Sequence, residues 1–544
     1  MTIRAATAVL LIMWVSWFDA LSSAPAATGQ ATRLRYPPTR AVDVVDDYFG
    51  TKVADPYRWL EDADSAEART WIDAQNELTF SYLATIPERE RIRRRLSELW
   101  NYERYGVPTR EGPWYLYSRN DGLQNQPVLY KAKRLDAEPE GLLDPNRLSP
   151  DGTVALSAMA LSDDGRHLAY ATSASGSDWQ EWRVREVETG RDLDDVVRWS
   201  KFSGAAWRRD GSGFYYNRYE PPAEGALLQG VNRNQKVYFH ALGTSDSEDR
   251  LIYERPDQPD WVFEADVMDD GRFLVIYQYE GTDPRSRVFL QDLADPESGI
   301  VPLLDRFDAE HVVVGNDGDR FYVHTDQGAP RKRLVAVERH RPSPADWRTI
   351  IPEAPGRSVL SRVIMAGDRF VTVWLVDAHE TLRVYRLDGS LEREIALPGL
   401  GALPEVTGRR RQAEVFYAFT SFTRPTTIYR YDVGTGRSEI FREPRVQADL
   451  DAFETTQVFY RSKDGTEIPM FLTSRHGAAR TGVTPTHSFK FAAALQAAQG
   501  GDAPALIRIE TKAGHGAGKP TSKQIDEWTD MWAFLVRVLE IELT

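Results

Sequence analysis

Apolar positions along this chain change their period twice. Ahead of residue 104 they recur at helical spacing. Trp71, Leu78 and Tyr82 share one face of a predicted helix that Asp64 or Ser65 can cap. Glu88 to Arg95 is densely charged and reads as the solvated face of a following helix rather than a binding patch. From about Arg104 to Asp449 the period drops to two, in short runs rich in Val, Tyr, Phe and Trp. From about Ala452 strand and helix patterns alternate, the texture of an α/β domain.

Within the middle stretch one phrase recurs: a turn containing Asp-Gly or Gly-Asp, then an alternating strand. The clearest copies run from Ser162 to Tyr170, from Arg209 to Tyr216 and from Asp269 to Ile276, with weaker ones around Gly112, Gly318, Gly367 and Gly408. Asp-Gly supplies the positive φ that a tight hairpin requires, and the alternation then turns one strand face inward. The copies lie roughly 40 to 60 residues apart, the spacing of four-stranded propeller blades. Seven copies predict seven blades. A sandwich or barrel also turns often, but rarely needs about 350 residues as one unit.

In the tail, Thr455 to Tyr460 and Glu467 to Thr473 read as two strands joined through Lys463-Asp464-Gly465. Thr486 to Gln499 reads as helix, and Ala505 to Glu510 as a buried strand entering the loop from Thr511 to Pro520. A last helix follows, with Thr521 as its cap and Ile525, Trp528, Trp532, Leu535 and Leu539 on one face.

Composition narrows the chemistry. The formal net charge of −14 argues against a nucleic-acid partner, because phosphate contacts need clustered cations. The absence of cysteine removes disulfides, thiolate metal sites and a cysteine nucleophile together. The nine histidines are scattered with no H-E-x-x-H, so no metal or other cofactor is expected. The acidic pairs Asp163-Asp164 and Asp269-Asp270 repeat at blade turns and read as structural rather than as calcium ligands. Gly514 to Gly518 fails the phosphate-loop spacing, since Lys519 is followed by Pro520. Arg4, the apolar run Ala5 to Phe18 and Ala24-Pro25-Ala26 read as a secretory signal peptide over residues 1–27, which predicts a periplasmic or secreted protein. That run is shorter than the ~20 residues a membrane span needs, and no membrane partner is expected.

Two segments resemble the prolyl oligopeptidase family of serine peptidases. One is Tyr36-Pro37-Pro38-Thr39-Arg40 with Asp46 to Gly50 and Val53 to Asp62; the other is His487-Ser488-Phe489-Lys490-Phe491 with Arg508 to Pro520. Ser162 to Gly165 and Ser173 to Trp179 agree as well. The resemblance implies a seven-bladed β-propeller plus a truncated α/β-hydrolase domain. Residues 36–104 would be a helical segment packing on the hydrolase domain, 105–450 the propeller and 451–544 the hydrolase remnant. It further implies short proline-containing peptides as substrates, cut after proline by a serine hydrolase, and a monomer. His515 matches the family's catalytic histidine, and its Gly-flanked loop would let the imidazole project.

The rest of the catalytic set is missing. No Gly-x-Ser-x-Gly elbow occurs anywhere in the chain. Where the resemblance places Asp-Asp-Arg-Val-Val, the chain reads Ala479-Arg480-Thr481-Gly482-Val483-Thr484-Pro485. Arg480 then stands for the catalytic aspartate and Gly482 for the substrate-gripping arginine. Ser488 just inside a helix and Ser474 without flanking glycines are not substitutes. The expectation is a family member unable to cleave peptides as written, with a poorly ordered C-terminal remnant. The alternatives are a non-catalytic propeller that binds peptide or protein partners, and a deletion allele or gene-assembly error.

Overall fold

The computed structural model describes residues 34–543, apart from 63–64, 175, 223–231, 296, 477–503, 505 and 511–517. The expected leader, the Thr486–Gln499 helix, the junction at Gly482 and His515 lie outside the described residues. The chain divides into two compact units, one holding the residues through Tyr82 and the segment ending at Ile509, the other residues 83–484 and those from Glu510 on.

In the first unit a two-stranded hairpin, Val45–Tyr48 with Thr51–Ala54, turns through Phe49 and Gly50, both at positive φ. Helix α1, Ala66–Ala84, begins as expected at Ser65, whose hydroxyl accepts from the Ala68 amide at 3.2 Å. Its Ala68 and Trp71 bury against Leu60 and Ile509. The described part of the segment expected to be a buried strand, residues 506–510, forms no strand. Instead the Asn76 side chain both donates to the Ile509 carbonyl (3.0 Å) and accepts from its amide (2.9 Å), and the Thr79 hydroxyl donates to the Ile507 carbonyl at 2.7 Å. A side-chain amide thus serves as the backbone neighbour that a sheet would have provided.

The second unit carries the propeller. Its sheets span residues 104–143, 154–201, 205–253, 261–304, 311–351, 359–395 and 406–442, and are here called the first to seventh blades. Six have four antiparallel strands and the first has five, because Thr109–Glu111 pairs beside Arg104–Tyr105 on Trp114–Asn120. The seven-bladed expectation is met. The expected turn glycines 112, 165, 211, 271, 318 and 367 all have positive φ. The seventh repeat differs: Gly408 lies within the inner strand Val406–Gly408, and the chain turns over Arg409–Gln412, closed by the Gln412 amide on the Arg409 carbonyl at 2.9 Å.

Alternation gives each blade two buried faces, and an apolar core forms between every pair of neighbours. Six seams hold seven to thirteen buried residues each. The seam between seventh and first blades holds five: Val107, Tyr115, Phe416, Ala418 and Ile428. Every blade is one contiguous piece of chain, so no strand is exchanged across that closing seam.

Two further elements follow. The expected hairpin forms as Phe453–Arg461 with Glu467–Arg475 around Gly465. Helix α2, Arg89–Trp100, packs against α3, Thr521–Val538, with Arg89 paired to Asp530 at 2.7 Å. The face that α3 buries is not the expected one. Thr521, Ile525, Thr529, Asp530, Ala533 and Val536 are buried, while Trp528 and Trp532 are 42% and 45% exposed. The helix has apolar residues on two sides, and packing against α2 covers only one. Thr521 does not cap: Pro520 holds that position, and the Thr521 hydroxyl donates to the Gln124 carbonyl at 2.7 Å.

Candidate functional site

The chemistry expected of His515 cannot be placed, but the C-terminal flank of its loop can. The Gly518 carbonyl accepts from the Gln126 side-chain Nε2 at 2.6 Å, and the Thr521 backbone amide donates to the Asn125 carbonyl at 3.2 Å. Both partners sit in the first blade between Trp114–Asn120 and Val128–Ala132. Gly518 has φ +91°, and a Cβ there would stand 2.5 Å from that of Ala155. Only glycine passes this point.

Ser474, the described serine nearest the Gly482 junction, is the penultimate residue of its strand, opposite Glu454. Its hydroxyl is buried and has no hydrogen-bond partner. His476, two residues on, directs Nδ1 at Glu454 (3.6 Å). A triad needs a base bonded to the nucleophile and a strained elbow that exposes it. Ser474 has neither, as the sequence indicates. No group of three or more His, Cys, Asp or Glu among the described residues is arranged to hold a metal ion.

Two features of the propeller remain. In the second to sixth blades the glycine turn joins the first strand to the second, and Arg409–Gln412 does so in the seventh, while the link to the next blade leaves the fourth strand. These connections therefore fall at opposite ends of the ring. At the inter-blade end, Trp199 (φ +63°), near the close of the second blade's fourth strand, and Phe202 (φ +52°), in the link to the third blade, have left-handed backbone. Bulky residues pay steric energy to sit there, a strain that marks functional positions. Trp179 packs edge-on against both Trp199 (5.9 Å) and Tyr219 (6.3 Å). The Lys201 ammonium lies over the Trp179 and Phe202 rings at 5.2 and 5.4 Å. Phe202 is nevertheless 67% exposed. The platform escaped the sequence reading. Its only signal was aromatics around a loop, and backbone strain is invisible without coordinates.

At the other end an axial cavity of about 360 Å³ is lined by the inner strands, with Met159, Trp207, Asp266, Ile364, Val406 and Arg409 among its walls. Asp266 is exposed along the cavity wall yet enclosed by the surrounding blades. That enclosure pushes its carboxyl up to about 6, against the pull of Arg409. Burial likewise raises Glu264, opposed by the Tyr279 hydroxyl. Three consecutive arginines, 409 to 411, cross this end of the cavity. Arg409 pairs with Glu111 (2.6 Å) and Asp269 (2.9 Å), Arg410 with Asp317 and with Asp368 (2.9 Å), and Arg411 with Glu111 (2.5 Å) and Asp163 (3.2 Å). Of the acidic turn pairs read as structural, Asp163 and Asp269 thus act as counter-ions.

A seven-bladed propeller joined to part of a hydrolase domain defines the class of protein. A family model described as "Prolyl oligopeptidase, N-terminal beta-propeller domain" matches residues 36–444, and one described as "Prolyl oligopeptidase family" matches 439–542. This chain belongs to the prolyl oligopeptidase family. The prolyl endopeptidase of Elizabethkingia meningoseptica is 37% identical over 458 residues, 84% of this chain and 64% of its own length. Prolyl oligopeptidase A of Amanita bisporigera is 32% identical over 504 residues, 85% of this chain and 65% of its own. Prolyl oligopeptidase B from Galerina marginata, solved with a 25-mer macrocyclisation substrate, is similar at TM-score 0.75 and 30% identity, covering 82% of this chain and 66% of that one. The chain spans about two thirds of the length of the curated relatives it matches.

Proposed function

We propose that this chain keeps the peptide-facing propeller of a prolyl oligopeptidase and has lost its hydrolytic reaction, the cleavage of short peptides after proline. One observation carries the reading: the sequence contains no Gly-x-Ser-x-Gly elbow, and Arg480 to Pro485 stand where the acid motif belongs. Loss of the nucleophile alone costs on the order of a millionfold in a triad enzyme. The oxyanion donor that follows the elbow goes with it. His515 is then a proton acceptor with no activated hydroxyl to serve. A chromogenic Gly-Pro substrate should show no turnover above background. Turnover abolished by His515→Ala would overturn the proposal.

The exposed, strained Phe202 favours a second reading, in which the propeller binds short proline-containing peptides without cutting them. Rigid aromatic faces suit the proline ring, giving large contact area at little entropic cost. Titration with such a peptide should quench tryptophan fluorescence, and Phe202→Ala should weaken binding about tenfold, a loss of ~1.4 kcal/mol. Unchanged affinity refutes it.

Export as a monomer with no nucleic-acid partner is part of the proposal, supported by the residue 4–27 pattern and the charge of −14. Cell fractionation with N-terminal sequencing of the mature chain tests it. An unprocessed cytoplasmic product counts against export.

A further inference from the structure

Beside the axial cavity, a second and more open one of about 670 Å³ is walled by the first and seventh blades. Five cationic side chains line it, Arg110, Lys133, Arg134, Arg430 and Arg442, against two carboxylates, Asp136 and Glu439. That surplus stands on a chain whose formal net charge is −14. Three of the cations are already matched. Arg134 donates through Nε to Asp136 at 2.9 Å, Lys133 reaches Glu188 at 3.3 Å, and Arg430 pairs with Glu414 and with Glu439 at 3.4 Å. Arg110 and Arg442 pair with no carboxylate among the described residues, and both are stacked on rings instead. Arg110 lies over Tyr115 at 5.1 Å, and Arg442 over Phe441 at 4.2 Å and Tyr105 at 5.5 Å. One Arg442 N–H goes to the Phe441 carbonyl at 2.9 Å. A stacked guanidinium is held by its face, so its remaining in-plane donors are aimed in advance and can fork onto an oxyanion.

We propose that this cavity binds phosphate monoesters of small organic molecules, with Arg110 and Arg442 gripping the phosphate. The two oxygens of a carboxylate serve one fork side-on, whereas a monoester offers three oxygens and nearly two negative charges to both. The volume of about 670 Å³ exceeds what a bare phosphate fills and lies within the range of small-molecule sites. Tyr115, Leu135 and Phe441 give the organic part an apolar wall. A cationic island on an acidic chain also draws such a ligand in. The site shares no residue with the hydrolytic set or with the Phe202 platform.

Calorimetric titration of the full chain, in a phosphate-free buffer at pH 8 and 50 mM NaCl, compares phenyl phosphate, inorganic phosphate and benzoate. Phenyl phosphate should bind at least tenfold more tightly than benzoate, which keeps the ring with a single carboxylate, and at least threefold more tightly than inorganic phosphate. Arg110→Gln and Arg442→Gln should each weaken phenyl phosphate at least tenfold, and the lysine variants at least fivefold, because charge returns without the fork. Arg341→Gln, at an exposed arginine paired with Asp346 in the fifth blade, should change affinity less than twofold. No heat with phenyl phosphate up to about 10 mM would overturn the proposal. So would benzoate or inorganic phosphate binding as tightly as phenyl phosphate, or affinity indifferent to both arginines. The ligand series uses the unaltered chain, so it decides the matter even if a variant does not fold.

Discussion

Arg409 in the seventh blade donates to Asp269 in the fourth at 2.9 Å, joining residues 140 positions apart across the propeller axis. Neither is fully buried, at 44% and 30% exposure, so solvent weakens the pair. A double-mutant cycle with Arg409→Gln and Asp269→Asn should give a coupling of about 0.5–2 kcal/mol by denaturant unfolding. A coupling near zero would make the contact incidental.

His240 in the third blade is fully buried between Asp249 (Nδ1, 2.7 Å) and Asp195 (Nε2, 3.0 Å). Burial alone would lower its pKa, but the two carboxylates outweigh it and hold the imidazole at about 9. The folded value exceeds the unfolded one near 6.5, so the stabilisation is complete below about pH 6.5 and lost as pH rises through about 9. Wild type should exceed His240→Gln in thermal midpoint by roughly 3–6 °C at pH 7, a gap that shrinks by pH 10. A constant gap would show the imidazole to be neutral.

Asp266 behaves in the opposite sense. Its carboxyl titrates at about 6 instead of near 3.8, so folding favours the protonated form, and ionisation at neutral pH costs stability. Asp266→Asn should raise the thermal midpoint by about 1–3 °C at pH 7.5 and change it little at pH 4.5. Equal effects at both values would contradict the enclosure argument.

Gly112 and Gly165 nest in the turns of adjacent blades. A Cβ on Gly112 would lie 2.3 Å from the Asp164 carbonyl oxygen, and one on Gly165 would lie 2.7 Å from that of Glu111. Both sites also hold positive φ. Gly112→Ala should destabilise by about 2–3 kcal/mol in denaturant unfolding, since strain and a backbone clash add. A loss under 1 kcal/mol would mean the turns can separate freely.

In the first unit, Asn76→Ala removes both side-chain bonds to Ile509. Faster exchange of the Ile509 amide, by about tenfold or more, is expected, corresponding to ~1–2 kcal/mol of local stability. Unchanged protection would assign the docking of this segment to Trp71 and Leu60 alone.

Local sequence determined much of this protein. Alternating strands and Asp-Gly turns settle within a few residues, so the blades, the Gly465 hairpin and the Ser65 start of α1 were legible, and the chain motifs carried the family. The lack of a Gly-x-Ser-x-Gly pattern was legible too, because a sequence motif needs no coordinates. Tertiary structure decided the rest. Which face of α3 is buried depends on what α2 covers, not on where its tryptophans fall. The partner of Ile509 is a helix side chain distant in sequence. Three arginines read as a weak seventh copy of a turn. Only when the ring closes do carboxylates from five other blades converge on them, because ion pairing depends on distances that chain order does not encode.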